Sequence, residues 1–451
     1  MVLPSFKKIL KKSLPNYIVD FISLLMHPIC NYNSVKKNRL FKKRIKIVQE
    51  NHKEALFQLR KKKPIRCVFL ALFDSVWKYD NLYLLMEKDD RFEPIILVCP
   101  VVNHGEANMI KNMRDCFSFF SKKGYNVINS YDEVSKEYVD LRHEISPDII
   151  FYTNPYKGLI DDRYYIDQFD DLLTIYVSYN YGNSKDFNTF FNLPMHNLVW
   201  RNYVETDRHK EYAQKTAINH GINVIASGYP GVEHFLNPNY VANDVWIDKK
   251  HRRKRIIWAP HHSIKPVGLV NYSCFLKYDS FMLSISKKYE NEIELFFKPH
   301  PLLKNKLYEI WGKKRTDYYY SSWDNRINTH YVDGDYVDLF LTSDAMIHDS
   351  GSFLIEYLHV NKPVLRTNNG IDPQELFNDF ALDCLEQYYM AYNEQDIEQF
   401  ILNVINDIDP LKEQRTKFVN DVLKPKGGMP SENIVNDIID SIENQRVLVN
   451  G

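Results

Sequence analysis

From residue 64 onward, short β-rich apolar runs alternate with amphipathic segments, and the alternation occurs in two successive series. This pattern constrains the fold more than any other feature of the chain. A strand, a crossover helix and a second parallel strand make one βαβ unit, and repeated units build a parallel sheet covered on both faces. The first series predicts strands over 65–73, 94–99, 126–129, 148–153, 173–178, 198–200 and 223–226, with helices over 82–88 and 107–122. The loop Ser227-Gly228-Tyr229-Pro230-Gly231 punctuates its end. The second series predicts strands over 255–260, 294–298, 327–331, 345–348 and 363–366. Its helices are expected over 275–289, 302–311, 353–359 and 374–380, and the tail beyond residue 396 reads as two or three more. The fold class is therefore α/β, with two Rossmann-like domains facing a central cleft. The expected boundaries are 1–63 for a basic N-terminal arm, 64–236 for the first domain and 237–254 for a linker. The second domain takes 255–425 and a C-terminal helix takes 426–451.

Composition sharpens this reading at two places. Hydrophobic residues at 44% and charged ones at 26% exclude a disordered chain. The formal charge is zero, yet residues 1–63 hold 16 Lys/Arg against 3 Asp/Glu, and the remaining 388 hold 42 against 55. A basic arm on an acidic body points to an anionic surface partner; a membrane surface is the expected one, and no nucleic acid is expected. The apolar stretch from Tyr17 to Cys30 is shorter than the ~20 residues that span a bilayer, and no small-residue cleavage site follows it. Lys7, Lys8, Lys11 and Lys12 precede it, and Lys36, Lys37, Arg39, Lys42, Lys43, Arg44 and Lys46 follow. An apolar segment between basic clusters suits the surface of an anionic leaflet. The alternative is a helix packed on its own domain. The six cysteines form no C-x-x-C pair, which argues for buried thiols in a reducing compartment.

Ligands of open parallel sheets bind beyond the carboxyl ends of strands. Three loops of the second half sit there: Ala259-Pro260-His261-His262-Ser263, Phe297-Lys298-Pro299-His300-Pro301, and Ile347-His348-Asp349-Ser350-Gly351-Ser352 opening a helix through Glu356. Small residues before a helix start can receive an anion on free N–H groups. Plain capping by Ser350 is the alternative. The prolines around His300 fix where its imidazole points. No H-x-x-x-H or H-E-x-x-H spacing occurs, so no metal site is expected. The absence of G-x-x-x-x-G-K-[ST], G-x-S-x-G and G-x-G-x-x-G lowers the P-loop, hydrolase and dehydrogenase readings.

Together the loops resemble the CDP-glycerol glycerophosphotransferase family, which includes teichoic acid primases and polymerases of GT-B fold. The resemblance rests on Trp258-Ala259-Pro260-His261-His262, Lys298-Pro299-His300-Pro301, Ser343 through Glu356, Lys362-Pro363-Val364-Leu365, Gly228-Tyr229-Pro230 and Gly428 to Glu432. It implies a metal-independent transferase that moves glycerol phosphate, or a related polyol phosphate or sugar, from a CDP-activated donor. The acceptor would be a membrane-associated glycan or lipid of the bacterial envelope. It implies no cofactor, only the nucleotide-activated donor as substrate, and a cytoplasmic protein held on the inner face of the plasma membrane. In this reading His300 contacts the phosphates and Lys298 offsets their charge. His261, His262, Ser350, Gly351 and Ser352 line the donor site, and Glu356 binds ribose hydroxyls. The family's N-terminal His base has no counterpart here. Tyr181 stands nearest in the Ser178–Asn183 loop, and an ordinary tyrosine pKa of ~10 makes a poor base. Asp74, Asp80 and His104, which follow the first two strands, are the substitutes. Their alternatives are a helix cap for Asp80 and ordinary loop positions for the other two. Two further functions stay open: a capsule or polysialyltransferase-like GT-B glycosyltransferase using another nucleotide sugar, and a non-catalytic nucleotide-binding homologue.

Overall fold

The computed structural model describes residues 16–250 and 253–444, with side chains from residue 36 onward except those of His104 and Asn444. The first series builds β1 (Ile65–Ala71), β2 (Phe92–Val98), β3 (Val127–Asn129), β4 (Ile149–Tyr152), β5 (Leu173–Val177), β6 (Arg201–Val204) and β7 (Val224–Ala226). They form one sheet in the order β3-β2-β1-β4-β5-β6-β7. The second series builds β8 (Lys254–Ala259), β9 (Ile293–Phe297), β10 (Thr329–Tyr331), β11 (Ala345–His348), β12 (Val364–Thr367) and β13 (Tyr389–Ala391). Their order is β10-β9-β8-β11-β12-β13. Every pairing in both sheets is parallel. The strand order reverses between β1 and β4 and again between β8 and β11. Such a switch point opens the crevice where ligands of doubly wound sheets bind.

The central strands explain themselves. Residues 67–71 of β1 are buried on both faces, because helices cover each side of a parallel sheet. Arg66 is the polar exception and uses its position at the strand start to donate to Glu93 at 2.8 Å. Phe69 stacks on Phe151 of β4 at 4.3 Å, and in the second sheet Phe297 stacks on Trp323 at 4.9 Å.

Four elements differ from the sequence pattern. The strand expected over 198–200 begins instead at Arg201. The helix expected over 302–311 runs on through Leu302–Ser322, kinked where Gly312 adopts φ 76°. The helix expected over 374–380 is two short helices, Pro373–Leu376 and Asp379–Leu385. The edge strand β13 lies outside the expected strands, although Tyr388-Tyr389-Met390-Ala391-Tyr392 is an unbroken apolar and aromatic run.

A helix covers Asn16–Leu59. Its later turns pack on the first domain through Ile45, Val48, Leu56 and Leu59, and Arg44 reaches Asp167 and Asp170 at 2.6 Å each. Residues 1–15, including the first lysine cluster, lie outside the described residues. The segment 237–253 carries no strand among its described residues. The C-terminal helix Pro430–Asn444 crosses back to the first domain. Ile434, Ile438 and Ile442 join that core, and Asp437 accepts from Arg201 Nε at 2.8 Å. Among the described residues, no helix is long and apolar enough to cross a membrane.

Candidate active site between the two sheets

The register of the second sheet decides where its loops meet. Ala259 pairs with His348, and Trp258 pairs with Phe297, so β8, β9 and β11 end level. The residues that follow therefore share one rim of the sheet. Backbone bonds tie the first two loops together: Lys298 N–H donates to Trp258 O at 2.8 Å and His300 N–H to Pro260 O at 3.0 Å.

On that rim three imidazoles cluster, two of the pairs meeting edge to face. Ring centres of His261 and His262 lie 4.2 Å apart, those of His262 and His300 4.2 Å, and those of His261 and His300 5.2 Å. One ring nitrogen of each lies within 4.8 Å of the other two. Each Nδ1 is already engaged. Leu302 N–H donates to His300 Nδ1 at 3.1 Å, Lys306 Nζ lies 2.9 Å from His262 Nδ1, and Ser263 N–H donates to His261 Nδ1 at 3.2 Å. Burial pushes all three rings toward the neutral form. It brings His261 down to about 2, with His262 and His300 adding to it. His300 falls to about 3, and His262 to about 4 with help from Lys306.

Asp349 locks this cluster to the serine loop. Its carboxylate is fully buried and accepts from His261 N–H at 2.5 Å and Cys274 N–H at 2.6 Å. Burial raises its pKa to about 6, against the pull of those N–H groups and of Arg366. Arg366, also buried, donates to Ser350 O at 3.0 Å. Ser350 Oγ and Ser352 Oγ face each other at 3.4 Å. Neither serine caps the helix that follows. That helix is one turn, Phe353–Glu356, continued by the 3-10 turn Tyr357–Val360, so the expected dipole contribution gives way to hydroxyls and the Arg366 charge. Gly351 serves a close approach of the two domains. Asn183 Nδ2 donates to Gly351 O at 2.7 Å, and a Cβ at this position would stand 3.3 Å from the Tyr272 ring.

Lys298 is buried and donates to Gly334 O at 2.8 Å. Burial lowers its pKa, and Asp333 and Asp335 oppose the shift. Glu356 is buried and accepts from Tyr336 Oη at 2.5 Å, so the carboxylate assigned to ribose hydroxyls is held by a tyrosine here. Burial raises its pKa, and Lys78 pulls it back. Lys78 comes from the first domain and donates to Tyr336 Oη at 3.2 Å.

The residues expected to supply a base separate. Asp74 stands exposed after β1 and accepts from Ser75 N–H at 2.8 Å. Asp80 is used up inside the first domain. It accepts from Trp77 Nε1 at 2.9 Å and Tyr125 Oη at 2.7 Å and pairs with Lys123 at 2.7 Å. These three donors, all from the first domain, make Asp80 an anchor of its helix. The side chain of His104 lies outside the described residues. Tyr181 is buried at the domain junction, with its hydroxyl 2.9 Å from His359 Nε2, and burial drives its pKa upward. It is no base. Sequence reasoning did not single out Lys78, Asn183, Lys306, Asp349 or Arg366. Asp349 stood in the quoted serine loop, but its partners at 261 and 274 become visible only through the register.

A search of the curated proteins found no match. Among solved structures, two variants of the wall teichoic acid polymerase TagF share the fold. One gives a TM-score of 0.57 at 14% identity, covering 93% of this chain and 98% of that one. The other gives 0.53 at 14%, covering 94% and 99%. UDP-N-acetylglucosamine 2-epimerase from Rickettsia bellii gives 0.51 at 13%, covering 86% and 99%. These likenesses support the GT-B arrangement of the two sheets. The profile of the CDP-glycerol:poly(glycerophosphate) glycerophosphotransferase family matches residues 193–440, which is more than half of the chain and includes every loop of the histidine and serine rim. The chain belongs to that family.

Proposed function

We propose that this protein is a transferase that moves glycerol phosphate, or a related polyol phosphate, from a CDP-activated donor onto a membrane-associated glycan or lipid. The observation that carries the reading is the convergence of His261, His262, His300, Lys298 and the Ser350–Ser352 loop on one sheet rim within the family match. In the proposed step an acceptor hydroxyl oxygen attacks the phosphorus that bears glycerol. A new P–O ester bond forms, and the P–O bond to the cytidine monophosphate breaks, its electron pair leaving with that nucleotide. The imidazole N–H groups and the serine hydroxyls stabilise the departing charge. The hydroxyl proton passes to Asp74, whose exposed carboxylate follows β1 at the switch point of the first sheet. No metal is required by this scheme. Calorimetry with CDP-glycerol, CDP-ribitol, CMP-sialic acid and UDP-sugars tests it. A CDP-alditol is expected to bind in the micromolar to millimolar range, and failure of every cytidine nucleotide to bind overturns the proposal.

The membrane partner rests on the outer face of the helix Asn16–Leu59. Its inner face is buried, whereas Lys36, Lys37, Arg39, Lys42, Lys43 and Lys46 point outward with Leu40 at 56% and Ile47 at 61% exposure. Basic residues interleaved with exposed aliphatics suit an anionic leaflet. Each basic residue there contributes about 1 kcal/mol. Changing these six to Gln is expected to weaken co-sedimentation with phosphatidylglycerol vesicles more than about a hundredfold, with thermal stability unchanged. Equal sedimentation of variant and parent would end the membrane proposal.

A further inference from the structure

The three histidines admit a sharper assignment than a general phosphate contact. We infer that His261, His262 and His300 form a receptor of three neutral imidazoles, each presenting Nε2–H to the oxygens of a diphosphate, and that the same cluster is closed to divalent metals. The inference rests on the donor-site reading above and deepens it.

The tautomers follow from proton counting. A lysine ammonium has only donors, so His262 Nδ1, 2.9 Å from Lys306 Nζ, must accept. A backbone N–H only donates, so His300 Nδ1 accepts from Leu302 at 3.1 Å. His261 Nδ1 accepts from Ser263 N–H at 3.2 Å. The Ser263 hydroxyl points the same way. Its oxygen already accepts from Tyr272 N–H at 2.9 Å and Ser273 N–H at 3.1 Å, which leaves its proton for His261 Nδ1 at 2.9 Å. A neutral imidazole that accepts at Nδ1 carries its proton on Nε2. With each Nδ1 engaged as an acceptor, the three Nε2–H groups are the donors left for a ligand. Burial, which holds the rings neutral, agrees with this count.

The same count argues against a metal. Zinc or nickel would need the lone pair of Nε2. Each proton would move to Nδ1 and there face another donor: the Lys306 ammonium, the Leu302 N–H or the Ser263 N–H. Three inverted contacts and an adjacent ammonium oppose a cation where they favour phosphate oxygens. The spacing of ring nitrogens alone would have suggested the opposite.

The test uses the full chain with inorganic pyrophosphate and with zinc chloride. Long-range proton–nitrogen NMR is expected to show Nε2–H tautomers for all three rings, and pyrophosphate is expected to shift them. A glutamine amide reaches about as far as imidazole Nε2–H, whereas an asparagine amide stops near Nδ1. His262→Gln should hold pyrophosphate within about threefold of the parent, and His262→Asn should weaken it roughly tenfold or more, the worth of one hydrogen bond to a charged group. Stoichiometric zinc retained by the parent and lost from His262→Gln overturns the inference. So do Nδ1–H tautomers, and so does equal weakening by Gln and Asn. Pyrophosphate binding with the expected pattern but no cytidine nucleotide binding would refute the transferase reading alone. CDP-alditol turnover with no Gln–Asn difference would refute the receptor alone.

Discussion

Replacing His300 with alanine is expected to lower turnover by about two to three orders of magnitude, the range for deleting one donor that stabilises a developing oxyanion. Folding should barely change. The imidazole is half-buried, and the group it leaves behind is the Leu302 N–H at a helix start, where water can replace it. The backbone bond from His300 N–H to Pro260 O does not depend on the side chain and keeps the two loops joined. The melting temperature should stay within about 3 °C of the parent. Steady-state release of the nucleoside monophosphate, read beside a thermal melt, checks both halves. A variant with parental kcat would remove His300 from the chemistry.

The sequence carried the architecture because parallel strands announce themselves. Residues 67–71 form a continuous apolar run, and such runs occur where both faces of a strand are covered. The pattern failed where burial is polar. Leu198, Val199 and Trp200 look like a strand, yet β6 starts at Arg201 and contains Asn202. Arg201 can be buried because Asp437 and Ser441 of the last helix receive it, at 2.8 and 2.7 Å. No local window contains partners 236 and 240 residues away.

The site divides in the same way. His261, His262, His300 and the serine loop were legible as polar strand ends. What brings them together was not, since it depends on the level ends of β8, β9 and β11. Asp80 and Tyr181 show the converse. Each had a plausible position in the chain, and each is consumed by neighbours that only the fold supplies: Trp77, Lys123 and Tyr125 for the first, His359 for the second.

Asp349 is where fold and site depend on one side chain, and its removal should have the largest effect on stability. Asp349→Ala strips the acceptor from two buried N–H groups, those of His261 and Cys274, and leaves the buried Arg366 without its nearest carboxylate. A loss of about 3–5 kcal/mol is expected, with pyrophosphate binding falling at least about tenfold because the histidine and serine loops lose their common anchor. The pH dependence identifies the cause. Burial raises the folded pKa to about 6 from the ordinary aspartate value of 3.8, so the folded state holds this proton more tightly than the unfolded chain. The stability that comes from the proton is complete below pH 3.8 and is lost as pH rises through about 6. Asp349→Asn cannot titrate. The advantage of the parent over Asp349→Asn should therefore be greatest near pH 4 and shrink by about 3 kcal/mol by pH 7. The buried histidines act in the opposite sense, losing stability as pH falls below 6.5, but they are present in both proteins and cancel in the difference. Urea midpoints of the two proteins across pH 4 to 7 measure that difference directly. An advantage that grows with pH would mean that the N–H groups and Arg366 hold Asp349 as an anion, and that burial is not the dominant influence on it.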